Sequence, residues 1–147
     1  MNDRLFEDSR ADQFVTVFYG VLEPATGRFD YCNAGHNPSF LLRANHDFKH
    51  ETLSRTGVAL GAMEGLTWKT ASTVLGRGDI LLFYTDGVVE AQNVNDEFFG
   101  EGRLVELNGI HHKPAEEIQT HIISNLQSFV GDADQFDDIT LLTLKWG

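Results

Sequence analysis

The chain has 147 residues, 41% of them hydrophobic and 22% charged, with a net charge of −11. That is the length of one domain and enough to bury a core. Eleven Phe and two Trp argue against disorder, and so acidic a surface repels phosphate backbones and anionic lipid, which argues against nucleic-acid or membrane partners.

A single cysteine, Cys32, permits no intrachain disulfide and fits a reducing compartment. The N-terminal residues carry no apolar run that could serve as a signal peptide, and no stretch approaches a membrane span. The expectation is a soluble, cytoplasmic protein.

Residues 1–12 are polar apart from Leu5 and Phe6, and read as the tail of a helix. Residues 14–22 (FVTVFYGVL) are β-branched and aromatic and predict a buried strand. A Pro- and Gly-containing turn, EPATG, leads into RFDYCNA, whose Phe29 and Tyr31 alternate, so a β-hairpin is expected. AGHNP at 34–38 is a loop and SFLL at 39–42 a strand, with the chain returning through 51–53. Residues 56–65 hold Gly57, Gly61 and Gly65 and predict an irregular connection; 66–75 alternate loosely as a strand; GRGD at 76–79 is a tight turn.

ILLFY at 80–84 is apolar throughout and predicts a central strand buried on both faces. Residues 100–107 form a short helix. Pro114 opens a longer one reaching Val130, with Glu116 and Glu117 in its first turn, Ile118, Ile122, Leu126 and Phe129 on one face, and Gly131 at its end. A last strand covers 139–146. Mostly antiparallel strands with two late helices imply the α+β class, helices laid on sheet.

Two acidic sites stand out. Asp86 lies in Thr85-Asp86-Gly87 directly after ILLFY, where a rigid strand end could hold a metal ligand. Gly87 would let the chain turn away and leave the carboxylate accessible. A cap on the following helix or turn accounts for the same residue equally well. The second site is Asp137-Asp138, before the last strand, in a run with Asp132 and Asp134. Solvation explains Asp132 and Asp134, whereas the pair abutting the strand suits an oxygen-seeking cation such as Mg²⁺ or Mn²⁺. An EF-hand fails, since counting from Asp132 puts Asp137 where Gly is needed and Thr143 where Glu is needed. His36 could touch a site, while His46, His50, His111, His112 and His121 read as surface, and Cys32 as core.

In order, FVTVFYGVL, YCNAGHNP, GVALG, GDILLFYTDGVVEA, FGEGRL and DDITLLTL resemble the PPM-type metal-dependent serine/threonine phosphatases, in the bacterial branch of the sporulation stage-II-E and partner-switching stress phosphatases. The likeness runs from about Phe14 to Leu144. It implies an αββα sandwich and a dinuclear Mn²⁺ or Mg²⁺ centre whose bridging water attacks phosphoserine or phosphothreonine. It makes Asp86 and Asp137 the catalytic metal ligands, with Asp138 a lesser ligand or an orienting group. Gly87, Asn33, Gly35 and His36 match family motifs without an assigned catalytic role.

The Gly-Asp-x-x-Asp strand and Gly-Asp-Val-x-Gly-x-Gly segment that open domains of this branch are absent here. Residues 1–147 are therefore expected to be the C-terminal portion of a single phosphatase domain, without its N-terminal strands and helix and inactive alone. The implied substrate is a phosphorylated anti-sigma-factor antagonist. A non-catalytic binding module with a degenerate phosphatase fold is the alternative, and a metal-binding protein without hydrolytic activity a third. Loss of the N-terminal segment would bare strand 14–22, and a homodimer could cover it by edge pairing or by swapping helix 2–10.

Overall fold

The structure, a computed structural model, describes residues 2–8 and 13–147, which form two compact units. The first comprises Met1–Pro38 and Leu53–Leu75, the second Ser39–Thr52 and Gly76–Gly147. The α+β class holds in both.

The first unit contains helix α1 (Asn2–Asp8) and strands β1 (Val17–Leu22), β2 (Arg28–Ala34) and β5 (Ala71–Val74), the strands ordered β1-β2-β5. The tail of a helix expected at the N-terminus is α1, although residues 9–12, and with them the end of the swapping segment 2–10, lie outside the described residues. The hairpin forms as expected, with Val17 opposite Ala34 and Leu22 opposite Phe29. Alternation then sends Phe18, Phe29 and Tyr31 to one face, where Phe18 and Tyr31 stack at 5.3 Å.

Strand β1 is not buried as its composition predicts. It takes the edge of its sheet, and Tyr19 and Val21 point outward, 65% and 52% exposed. An edge position removes one neighbour, and an apolar side chain on the outer face then has nothing to pack against. The strand expected over 66–75 also shortens to β5. Its first half runs beside the irregular connection instead, where the Trp68 indole N–H donates to the Val58 carbonyl at 2.7 Å.

The second unit carries β3 (Ser39–Leu42), β4 (His50–Leu53, whose Leu53 falls in the first unit), β6 (Ile80–Tyr84) and β7 (Leu141–Lys145), ordered β4-β3-β6-β7. Helices α2 (Asp86–Val89), α3 (Gly100–Val105) and α4 (Ala115–Val130) complete it. Strand β6 is central, and Ile80, Leu81 and Leu82 are wholly buried. Phe40, Leu42, Ile80, Leu82 and Tyr84 form one core with Ile118, Ile122 and Leu126 of α4. Each such side chain contributes roughly 1.5–3 kcal/mol through burial. Gly131 takes φ +59 and ends α4.

A buried ion pair closes the other end of β6. Asp79 is 2% exposed and accepts from Arg43 Nη1 at 3.0 Å and from the backbone N–H groups of Ala44 and Gly76, both at 2.9 Å. Its carboxylate therefore has three donors, as a buried charge requires. No helix among the described residues is long and apolar enough to cross a membrane.

Candidate functional site

Strand β6 delivers Asp86. Its buried residues hold the strand, Thr85 stays extended, and the chain then turns into the four-residue helix α2. Val88 anchors that helix in the core, leaving Asp86 exposed at the strand end. Among the described residues the Asp86 carboxylate accepts only the neighbouring Gly87 N–H, at 3.2 Å. Thr85, not Asp86, occupies the cap position.

Asp137 and Asp138 arrive from the other side of the same strand pair. The β6–β7 ladder ends with Tyr84 opposite Leu141, and Thr85 extends it by donating its N–H to the Thr140 carbonyl at 3.1 Å. The Thr85 hydroxyl adds two bonds. It donates to the Asp138 carbonyl at 2.8 Å and accepts the Thr140 N–H at 2.9 Å. One side chain thus latches the TDG segment to the DDIT segment.

Gly87 completes the approach. A Cβ there would stand 2.5 Å from the Asp138 carbonyl oxygen and 3.3 Å from the Asp137 carbonyl carbon. Its φ is not positive, so glycine is needed here for close backbone contact rather than for a turn away from Asp86. Asp86, Gly87, Asp137 and Asp138 therefore meet at one end of one strand pair. Asp137 is held by its own local bonds: its Oδ1 accepts the Asp138 N–H at 2.7 Å, and its carbonyl accepts from Gln135 Nε2 at 2.8 Å.

All three carboxylates are exposed, and among the described residues none is paired with Lys or Arg. Their hard oxygen donors suit Mg²⁺ or Mn²⁺. The number of donors falls short: among the described residues no three His, Cys, Asp or Glu side chains converge as a metal cluster.

Asn33, Gly35 and His36 lie in the first unit and serve its backbone. Asn33 is fully buried; its N–H donates to Thr56 Oγ1 at 2.9 Å and its carbonyl accepts the Thr56 and Gly57 N–H groups. Among the described residues its Oδ1 has no partner. Gly35 has φ +75, and a Cβ there would lie 2.7 Å from the Ala59 nitrogen. The His36 ring meets Thr16 Oγ1 at 3.2 Å, and its carbonyl accepts from Arg55 at 3.1 Å. Cys32 is half-buried and free. His111 stacks on Phe48 at 3.8 Å and His50 packs edge-on against Phe40, which gives both packing roles.

Thr85 escaped the sequence reading. The available signal was a hydroxyl beside a candidate ligand at a strand end, but its partner lies 53 residues away. Asp79 read only as part of a turn for the same reason, since Arg43 is 36 residues distant.

The whole chain, residues 1–147, matches the family described as Stage II sporulation protein E (SpoIIE). It is 37% identical over 131 residues to Protein IcfG of Synechocystis sp., covering 89% of this chain and 20% of that protein. Identity to the phosphoserine phosphatase RsbU of Bacillus subtilis is 29% over 136 residues, 92% of this chain and 40% of that protein. The chain thus spans between a fifth and two fifths of these curated relatives. Among solved structures, the RsbU and RsbW domains of Rv1364c from Mycobacterium tuberculosis superpose with a TM-score of 0.72 at 26% identity, covering 97% of this chain and 39% of that one. The PP2C phosphatase domain of SpoIIE from Bacillus subtilis, with a fragment of its regulatory domain, gives 0.78 at 16% identity, covering 98% and 41%.

Proposed function

Because the chain belongs to the stage II sporulation protein E family of PP2C-type phosphatases, we propose that it contributes one acidic half of a Mn²⁺- or Mg²⁺-dependent centre that hydrolyses phosphoserine or phosphothreonine. On this reading residues 1–147 are the C-terminal portion of a single phosphatase domain. The latch of Thr85 to the Asp138–Thr140 backbone, with Gly87 packed against that backbone, supports the reading.

Asp86 and Asp137 would hold the ions, with Asp138 beside them. Bound there, two divalent ions supply a water of lowered pKa and neutralise phosphoryl oxygens. The chain's own contribution is positional. Strand β6 would fix Asp86, the Thr85 latch would hold the Asp138–Thr140 backbone beside it, and Gly87 would let the two backbones touch. The acidic surface would repel a phosphoryl group without that positive charge.

The substrate proposed is a phosphorylated protein of the anti-sigma-factor-antagonist type, in a cytoplasmic signalling pathway that regulates a sigma factor. A second reading, a binding module with a degenerate phosphatase fold, draws on the shortage of converging donors among the described residues.

Turnover separates the two. Joined to the N-terminal part of a family phosphatase domain, the chain should hydrolyse p-nitrophenyl phosphate only with Mn²⁺ or Mg²⁺, and Asp86→Asn should abolish this. Absence of turnover in the completed, folded domain would sink the enzymatic reading and favour the binding module.

A further inference from the structure

A groove of about 680 Å³ lies wholly within the second unit, beside the candidate centre. Its apolar lining comes from three segments: Ile123 and Val130 of α4, Phe98 from the connection after α2, and Phe136 and Ile139 from the approach to β7. Phe98 is 55% and Phe136 79% exposed. Two large aromatics left in water beside a concave apolar surface are uncommon on a satisfied surface.

The charge is equally one-sided. Glu90, Asp134 and Asp137 line the groove, and among the described residues no Lys or Arg does. Gly87 and Asp137 belong both to this groove and to the candidate centre. A residue held at the centre therefore brings its chain neighbours within reach of the groove.

We propose that this groove docks an apolar segment flanked by Lys or Arg on the phosphoprotein substrate, a reading that rests on the phosphatase function above. Apolar side chains would cover Phe98 and Phe136, and the cationic flanks would meet Glu90 and Asp134. A phosphate or an acidic segment meets only repulsion from these carboxylates. A second copy of the chain, itself at −11, brings a like charge to the same rim. The volume, within the roughly 300–1,000 Å³ of ordinary ligand clefts, admits a few side chains rather than a folded surface.

The test needs binding and turnover together. A fluorescein-labelled amphipathic Leu/Lys peptide is titrated into the 147-residue chain and into the completed domain, beside versions with Glu for Lys and Ser for Leu. The Leu/Lys peptide should bind both proteins, and either replacement should weaken it by about tenfold. Phe98→Ser and Phe136→Ser, both at exposed side chains, should weaken it likewise without changing the melting temperature. In the completed domain these variants should raise KM for a phosphoserine peptide with Leu/Lys flanks and leave p-nitrophenyl phosphate turnover unchanged.

Equal binding of all three peptides, or indifference to both substitutions, would overturn the proposal. So would binding by the chain that vanishes in the completed domain, because the rest of the domain then occupies the groove. Concentration-dependent dimerisation abolished by Phe136→Ser would assign the groove to a second copy and overturn it as well. Peptide binding without any turnover would defeat the phosphatase reading separately, leaving the groove as a peptide site.

Discussion

Thr85 and Gly87 are the residues whose roles follow most directly from geometry. Gly87→Ala places a methyl 2.5 Å from a backbone oxygen that cannot swing aside. A loss of about 1–3 kcal/mol is expected, read by urea denaturation of the 147-residue chain. Thr85→Val keeps the shape and removes both hydroxyl bonds, at about 1 kcal/mol because water can replace part of what is lost. Asp86→Asn should instead leave stability within about 0.5 kcal/mol, its carboxylate being exposed with one weak bond. A large loss of stability there would contradict a site role for Asp86. Asp79→Ala reverses the pattern: the Ala44 and Gly76 N–H groups lose their buried acceptor while Arg43 keeps Glu51, at about 1–3 kcal/mol, with no link to the candidate centre.

Among the elements, β2 and β5 carry a titratable device. Asp30 of β2 sits below the ordinary carboxylate value of 3.8, first because the Ser72 hydroxyl of β5 donates to it and then because Arg28 does. A depressed carboxylate stabilises the fold above its unfolded pKa, and that stabilisation is lost as pH falls through the lower, folded value. Thermal stability should therefore decline below about pH 4, and Asp30→Asn should flatten that acid limb by lowering stability at pH 7–9, where the ionised carboxylate contributes, more than at low pH. A second expectation concerns the open edge of β1, where Tyr19 and Val21 face water. If a homodimer covers this edge, light scattering will show mass rising with concentration, and Val21→Lys will abolish the rise. A strictly monomeric, cooperatively folded chain at all concentrations would remove the dimer.

For the whole molecule the decisive quantity is how many ligands the chain itself brings. Two or three exposed carboxylates bind Mg²⁺ or Mn²⁺ weakly, because a hydrated ion gives up water reluctantly. With a dissociation constant of about 1 mM, 1 mM Mn²⁺ adds only about 0.4 kcal/mol to stability. The melting temperature of the chain should hardly move with metal, whereas that of the completed domain should rise and fall back with EDTA. A large metal-induced shift in the chain alone would mean that it already holds a full ligand set.

Much of this was legible in the sequence because it is local. The apolar run ILLFY announces a doubly buried strand, the 3.6-residue rhythm of Ile118, Ile122 and Leu126 announces α4, and the bounds of β2 and β3 match the turns beside them. Asp86 was legible as a candidate where the buried β6 ends, and Asp137 as one in the acidic run before β7. What joins them was not. Thr85 reaches across 53 residues and Gly87 is needed only because the Asp138 backbone passes beside it. The exposure of β1, the Arg43–Asp79 pair and the groove of Phe98, Val130 and Phe136 likewise depend on neighbours remote in the chain. Periodicity and turn chemistry act over a few residues and so can be read along the chain, whereas burial and contact are decided by which strands pair and only the assembled fold supplies them.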